Sequence, residues 1–181
     1  MKEDYAVVLD YLPMGKPTDP KGTPIAQVIG TRYYTLLEVI PKPGADMEIF
    51  EKVFVGRGER PKVKTVKGRI HYDELTSLAK SNLDEAVRRI VLEREEEYVR
   101  FFNEARPLTI RLHTLELLPG IGKKHLFHIL DEREKEPFKS FEDIKQRVPL
   151  LGDPVKLIVS RIVKELTEPC KYYLFVRPAG R

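Results

Sequence analysis

A chain of 181 residues, 41% of them hydrophobic, can bury a core as one large domain or two small ones. Its charge is high and mixed (33% Asp, Glu, Lys and Arg) without a polar low-complexity tract, which excludes global disorder, and the formal net charge of +4 suits a polyanion partner. Cys170 is the single cysteine, which excludes an intramolecular disulfide and a cysteine-based zinc or iron–sulfur site; with no apolar signal segment behind Met1-Lys2-Glu3-Asp4 and no membrane-length apolar run, the expectation is a cytoplasmic protein away from membranes.

From Tyr5 to about Tyr72 the pattern is strand-like. Tyr5 to Leu9 is rich in strand formers, and Lys16-Pro17-Thr18-Asp19-Pro20-Lys21-Gly22 is dense in turn residues. Ile25 to Ile29, Arg32 to Ile40, Ile49 to Val55 and Val63 to His71 complete a series of short strands. That spacing predicts a small closed antiparallel barrel over residues 1–80. An OB-like barrel is preferred because such barrels bind single strands, and an SH3-like barrel stays open.

Within this region, residues 56–69 hold six basic side chains (Arg57, Arg60, Lys62, Lys64, Lys67 and Arg69) against one acid, Glu59. Lys62 and Lys64 share a face if the strand is extended. The excess positive charge attracts a phosphate backbone; the competing reading is a solvated hairpin whose lysines protect an edge strand. Arg32, Tyr33 and Tyr34 are candidates for cation and stacking contacts with bases, with one tyrosine expected in the core.

Ser81 to Ala105 predicts one long helix linking two domains, capped by Ser81 or Asn82 and ended by Pro107. Leu83, Val87, Ile90, Val91, Tyr98, Phe101 and Phe102 follow helical spacing on its packed side. The remaining face is charged and nearly balanced, as expected of a solvated surface.

The stretch Leu115-Glu116-Leu117-Leu118-Pro119-Gly120-Ile121-Gly122-Lys123-Lys124-His125-Leu126-Phe127-His128-Ile129-Leu130 carries the sharpest signal. Pro119 disfavours helix at Leu118, and the two glycines can take backbone conformations that a side chain forbids and leave nothing to block a ligand. A helix starting at about Gly122 presents unpaired N–H groups and a partial positive charge, with Lys123 and Lys124 beside them. These residues resemble the helix-hairpin-helix motif over about Thr109 to Leu130. The resemblance implies binding of DNA or RNA through phosphates: the Gly120 and Gly122 amides flanking Ile121 hold one phosphate, and Lys123 and Lys124 add charge. His125 and His128, three apart on the helix, are expected to cap polar contacts or touch phosphate. It also implies a monovalent cation (K+ or Na+) at the backbone carbonyls of Glu116, Leu118 and Ile121. A plain turn, or a hairpin turned to protein contact, is the alternative.

Asp131 to Glu136 reads as a polar connector, followed by a short helix capped by Ser140 and another from Val155 to Leu166. The turn between them, Leu150-Leu151-Gly152-Asp153-Pro154, resembles a degenerate second copy of the motif. Its Asp153 repels an anion, so it is expected to be structural. The strand-like tail from Cys170 to Arg181 is expected to return onto the barrel.

Enzymatic readings are disfavoured. Some lyase-type DNA glycosylases carry a catalytic lysine where Lys124 stands, but no Val-Asp-Thr-His-like segment follows, and Asp131 and Asp153 lie in the wrong contexts. His125 and His128 lack a third ligand for zinc. Over nearly its full length the chain resembles an archaeal family of uncharacterised conserved proteins. The expected architecture is α+β in two domains: an OB-like barrel (1–80), a linking helix (81–106) and a tandem helix-hairpin-helix domain with the tail (107–181). The expected function is sequence-tolerant nucleic-acid binding to RNA or DNA backbone, with RNA favoured; a protein-interaction adaptor in a translation or transcription assembly is the rival.

Overall fold

The computed structural model describes residues 2–179, which form an α+β structure with a curled antiparallel sheet of five strands and five α-helices. Its contacts group into two compact units, residues 1–87 with 165–181, and residues 88–164.

In the first unit the strands are β1 (Tyr5–Leu12), β2 (Ile25–Gly30), β3 (Leu36–Pro41), β4 (Lys52–Phe54) and β5 (Val63–Arg69), in the order β4-β1-β2-β3-β5. Among the described residues no ladder joins β4 to β5, so the expected closed barrel is a half-barrel. Alternation along the strands gathers Ala6, Val8, Ala26, Val28, Val39, Val53 and Val63 with Met47 into one apolar cluster. Two strands are shorter than expected because Tyr34 (φ 58°) and Phe50 (φ 68°) take left-handed conformations that end extended pairing. The Tyr34 turn is held by the buried Glu3 carboxylate, which accepts from the amides of Arg32 (2.9 Å) and Tyr33 (2.6 Å) and from Thr35 Oγ1 (3.2 Å). Gly30 makes room for it, since a Cβ there would lie 2.0 Å from Glu3 Cδ.

Across the sheet runs a buried polar row. A bulge between Val8 and Asp10 brings Asp10 opposite Gln27, and Gln27 stands opposite Glu38. Gln27 Nε2 donates to Glu38 Oε2 (2.9 Å) and to Glu74 O (3.0 Å), while its Oε1 accepts from Thr76 N (2.9 Å). Thr76 Oγ1 donates to Asp10 (2.6 Å) and accepts from Ala79 N (3.0 Å), so Thr76 caps the first helix, α1 (Ser77–Glu93). The expected caps therefore lie inside the helix: Ser81 Oγ bonds Leu78 O and Asn82 Nδ2 bonds Leu9 O.

The single long helix expected from Ser81 to Ala105 is two helices. Arg94 (φ −110°, ψ 31°) interrupts it, and α2 runs Glu95–Glu104. Arg94 also bonds Glu97 through Nε and Nη2 (2.9 and 2.7 Å), which ties the break to the first turn of α2.

In the second unit, a 3-10 turn at Thr114–Leu117 stands where a first hairpin helix was expected, followed by α3 (Lys123–Lys135), α4 (Phe141–Arg147) and α5 (Pro154–Thr167). Helix α3 includes most of the expected connector; its C-terminal carbonyls at Glu132 and Glu136 are taken by Arg147 Nη2. Arg133 serves α2 in the same way, donating to Phe102 O (3.1 Å) and Ala105 O (2.9 Å). Asn103 clamps the backbone of Phe138 in both directions, at 2.9 and 2.7 Å. Ser140 caps α4 as expected, accepting from Asp143 N at 2.9 Å. No helix among the described residues is long and apolar enough to cross a membrane.

Gln27→Leu removes every side-chain bond that Gln27 makes while leaving Glu38 buried and Thr76 half-buried, and is expected to cost about 2–4 kcal/mol of stability in urea unfolding. Burial opposes the charge on Glu38, but hydrogen bonds from Lys16 and Gln27 outweigh it and hold the carboxyl below its ordinary 4.5. The folded group thus titrates below the unfolded one, so its contribution is present above about pH 4.5 and is lost as pH falls. A wild-type acid-unfolding curve steeper than that of Glu38→Gln below this value is the expected result.

Candidate functional site

Two regions gather the side chains singled out in the sequence, one in each unit. In the second unit, Leu118 is extended (φ −71°, ψ 133°) ahead of Pro119, as the proline requires. Ile121 N then donates to Leu118 O (3.2 Å) across the turn, and Ile121 is buried beneath it. Gly120 has φ 80°, so a residue without Cβ is needed there. Gly122 differs from expectation: its extended backbone (φ −97°, ψ −171°) suits any residue. What its missing side chain provides is access, since a Cβ at either glycine would meet nothing within 4 Å.

Gly122 begins α3 without a side-chain cap, and the first helical bond is Leu126 N to Gly122 O (3.0 Å). The amides of Lys123, Lys124 and His125 therefore have no acceptor within the helix, and they carry its positive end. Lys124 is exposed and His125 half-buried. Lys123 is not the open cation expected: its Nζ bonds Glu116 Oε1 (2.7 Å) and Arg111 O (2.9 Å). The hydrogen bond from Lys123, and then that from the His113 amide, hold the Glu116 carboxyl below the usual carboxylate range. Of the three carbonyls assigned to a cation, that of Leu118 already accepts from Ile121 N and keeps one lone pair. Among the described residues no cluster of three or more His, Cys, Asp or Glu could hold a metal ion, and His125 and His128 stand without a third ligand.

The second turn, at Gly152 (φ 81°), is closed to an anion. Asp153 Oδ1 accepts from Val155 N (3.0 Å) and covers the amide that a phosphate would use.

In the first unit the basic run divides. Arg57, Arg60, Lys64 and Arg69 line one groove of about 950 Å3. Lys62 lies before β5 and bonds Glu51 (2.7 Å) and Asp46 O (2.9 Å), so it does not share the face of Lys64. Lys67 faces the buried Glu38 at 3.9 Å. Two cations that sequence reasoning had not placed here, Lys2 and Arg177, join the groove. Arg177 arrives because the tail forms no strand; the buried Glu165 carboxylate accepts from the amides of Leu174 (3.1 Å), Phe175 (3.1 Å) and Val176 (3.0 Å). Arg177 N then donates to Tyr33 O (3.2 Å), and Arg69 Nη2 donates to Arg177 O. The expected return of the tail onto the barrel pointed to this region but not to Arg177 itself.

Of the two tyrosine candidates one lies in the core, as expected, and the other is half-buried. Tyr34 is fully buried, and Arg177 and Arg32 lie over the Tyr33 ring at 4.5 and 5.4 Å.

The buried His113 holds the turn before α3: its Nδ1 accepts from Leu115 N (3.0 Å), and its own amide donates to Glu116. Burial first, then nearby Arg133, pushes its imidazole below the ordinary 6.5. The unfolded chain thus takes up a proton that the folded chain refuses, so stability falls as pH drops through about 6.5. His113→Asn, whose amide oxygen can accept the same bond, should flatten this dependence in thermal melts between pH 7 and 5.

A family model described as "Protein of unknown function (DUF655)" matches residues 2–177. The uncharacterized protein MJ0038 of Methanocaldococcus jannaschii is 48% identical over 97% of this chain and 80% of its own length. The crystal structure of Af1531 from Archaeoglobus fulgidus, also assigned to DUF655, superposes with a TM-score of 0.92 at 47% identity, covering 97% of this chain and all of the other.

Proposed function

The chain belongs to the DUF655 family of archaeal proteins of unknown function, and we propose that it is a non-enzymatic, sequence-tolerant nucleic-acid binder that grips backbone phosphates. The observation that carries this reading is the uncapped start of α3. Three helical amides point outward from a turn kept open by Gly120 and Gly122, with Lys124 beside them. Such an arrangement provides both directed donors and positive potential for one phosphate. On this reading the turn is a helix-hairpin-helix in which the first helix has shrunk to a 3-10 turn, and a K+ or Na+ ion at the carbonyls of Glu116, Leu118 and Ile121 would bridge to the same phosphate. The half-barrel acts as the OB-like partner, and linking two weak sites in one chain raises affinity without base contacts. RNA is favoured over DNA because a small barrel of this kind suits single strands while the turn suits a structured backbone.

A protein-interaction adaptor is the second reading. It is favoured by Ile110 and Phe127, which are large apolar residues exposed in the same unit as the turn.

Fluorescence anisotropy with labelled single- and double-stranded RNA and DNA, at low and physiological salt, separates the two. Salt-sensitive binding is expected, weakened about tenfold or more by Lys123→Glu/Lys124→Glu and by Gly122→Val. Gly122→Val is the cleaner block, since it adds bulk over the amides without the backbone strain that Gly120→Val would bring. Absence of binding by folded wild type at low salt would reject the nucleic-acid reading and favour the adaptor.

A further inference from the structure

Resting on the nucleic-acid reading and narrowing it, we propose that the groove of the first unit is a phosphate-chain site, which holds a single strand by its backbone and leaves the bases uncontacted. The groove's cations are selected by the fold rather than by proximity in sequence. Four come from the basic run, two of that run are turned away to Glu51 and Glu38, and Lys2 and Arg177 are added from distant segments. Six basic side chains then face two acids, Glu3 and Asp4. Of these, Glu3 already accepts from two amides and a hydroxyl, so its charge is spent on the Tyr34 turn.

The guanidinium groups are placed as well as gathered. Arg60 Nε is fixed on Gly56 O at 2.8 Å and Arg69 Nη2 on the Arg177 carbonyl, which leaves each with further N–H donors for phosphate oxygens. Among the described residues the lining contains no aromatic side chain, so it offers no aromatic ring on which a base could stack. Its apolar part is Leu37, Val55 and Val66, small surfaces suited to sugar edges. At about 950 Å3 the space exceeds that of one phosphate and admits a run of them. Phosphates, not bases, are what this groove recognises.

Competition anisotropy on the full chain tests this, with a labelled single strand displaced by an unlabelled abasic strand of equal length or by inorganic tripolyphosphate. The measurements are repeated in the Lys123→Glu/Lys124→Glu background, which disables the turn in the second unit. The abasic strand should compete within about twofold of the strand with bases, and tripolyphosphate should also displace the label. Lys64→Gln and Arg177→Gln should each weaken binding about three- to tenfold and lower the salt slope by about 0.7, the loss of one phosphate contact to a single strand. Lys62→Gln and Lys67→Gln, which remove equal charge outside the groove, should stay within about twofold. Thermal unfolding checks that every variant is folded. Failure of the abasic strand to compete would overturn the proposal. So would equal losses from all four substitutions, which would mean a diffuse basic field and leave nucleic-acid binding itself standing. No binding of any strand by wild type would remove both.

Discussion

The polar row that crosses β1, β2 and β3 is the constraint on which the first unit depends. Gln27 is fully buried, and its side-chain amide has three partners: Nε2 donates to Glu38 and Glu74 O, while Oε1 accepts from Thr76 N. A buried polar network is costly when incomplete and rigid when complete. Here it is complete, with Lys16 joining Glu38 at 2.5 Å and Thr76 joining Asp10 at 2.6 Å. Because Thr76 also caps α1, the helix start is registered against the sheet to within one residue. The bulge in β1 belongs to the same device, since without it Leu9 rather than Asp10 would stand opposite Gln27.

That arrangement also decides which cations remain available. Glu38 draws Lys16 and Lys67 inward and Glu51 draws Lys62, while Arg57 and Lys64 remain on the groove. A run that is predominantly basic as text is thus split by the sheet into residues that pair with the buried Glu38 or the half-buried Glu51 and residues that line the groove. In the second unit the same competition operates at smaller scale. Glu116 pairs with Lys123, and Lys124 is an exposed cation beside the open amides. Cations adjacent in sequence are thus divided by which of them an acid side chain engages.

The strands and helices were legible where local chemistry ruled. Strand-forming residues between turn-rich stretches placed all five strands, Ser140 was read as the cap of α4, and Pro119 was read as barring helix at Leu118, where the backbone is extended. What escaped was set by long-range contacts. Thr76 caps α1 because Asp10 and Gln27 meet it there, and no local rule prefers it to Ser81. One of the two adjacent tyrosines was expected in the core, but that it is Tyr34 depends on Glu3, a residue far away in sequence that holds its left-handed turn. Both roles read for the paired glycines apply at Gly120, but at Gly122 only access does, because spacing does not reveal which glycine needs the left-handed backbone. Arg177 was invisible as a groove residue because its position is set by three amides docking on Glu165.

Lys2 and Arg177 stand at opposite ends of the described chain yet face one groove. Anything that touches both closes nearly the whole chain into a ring, and long closures carry the largest configurational entropy. A bound polyanion would therefore act as a removable clasp: it would suppress fraying of both ends together, and its release would free them together. Binding and the mechanical integrity of the first unit would then be one linked equilibrium, read as easily from proteolysis of the ends as from occupancy of the groove.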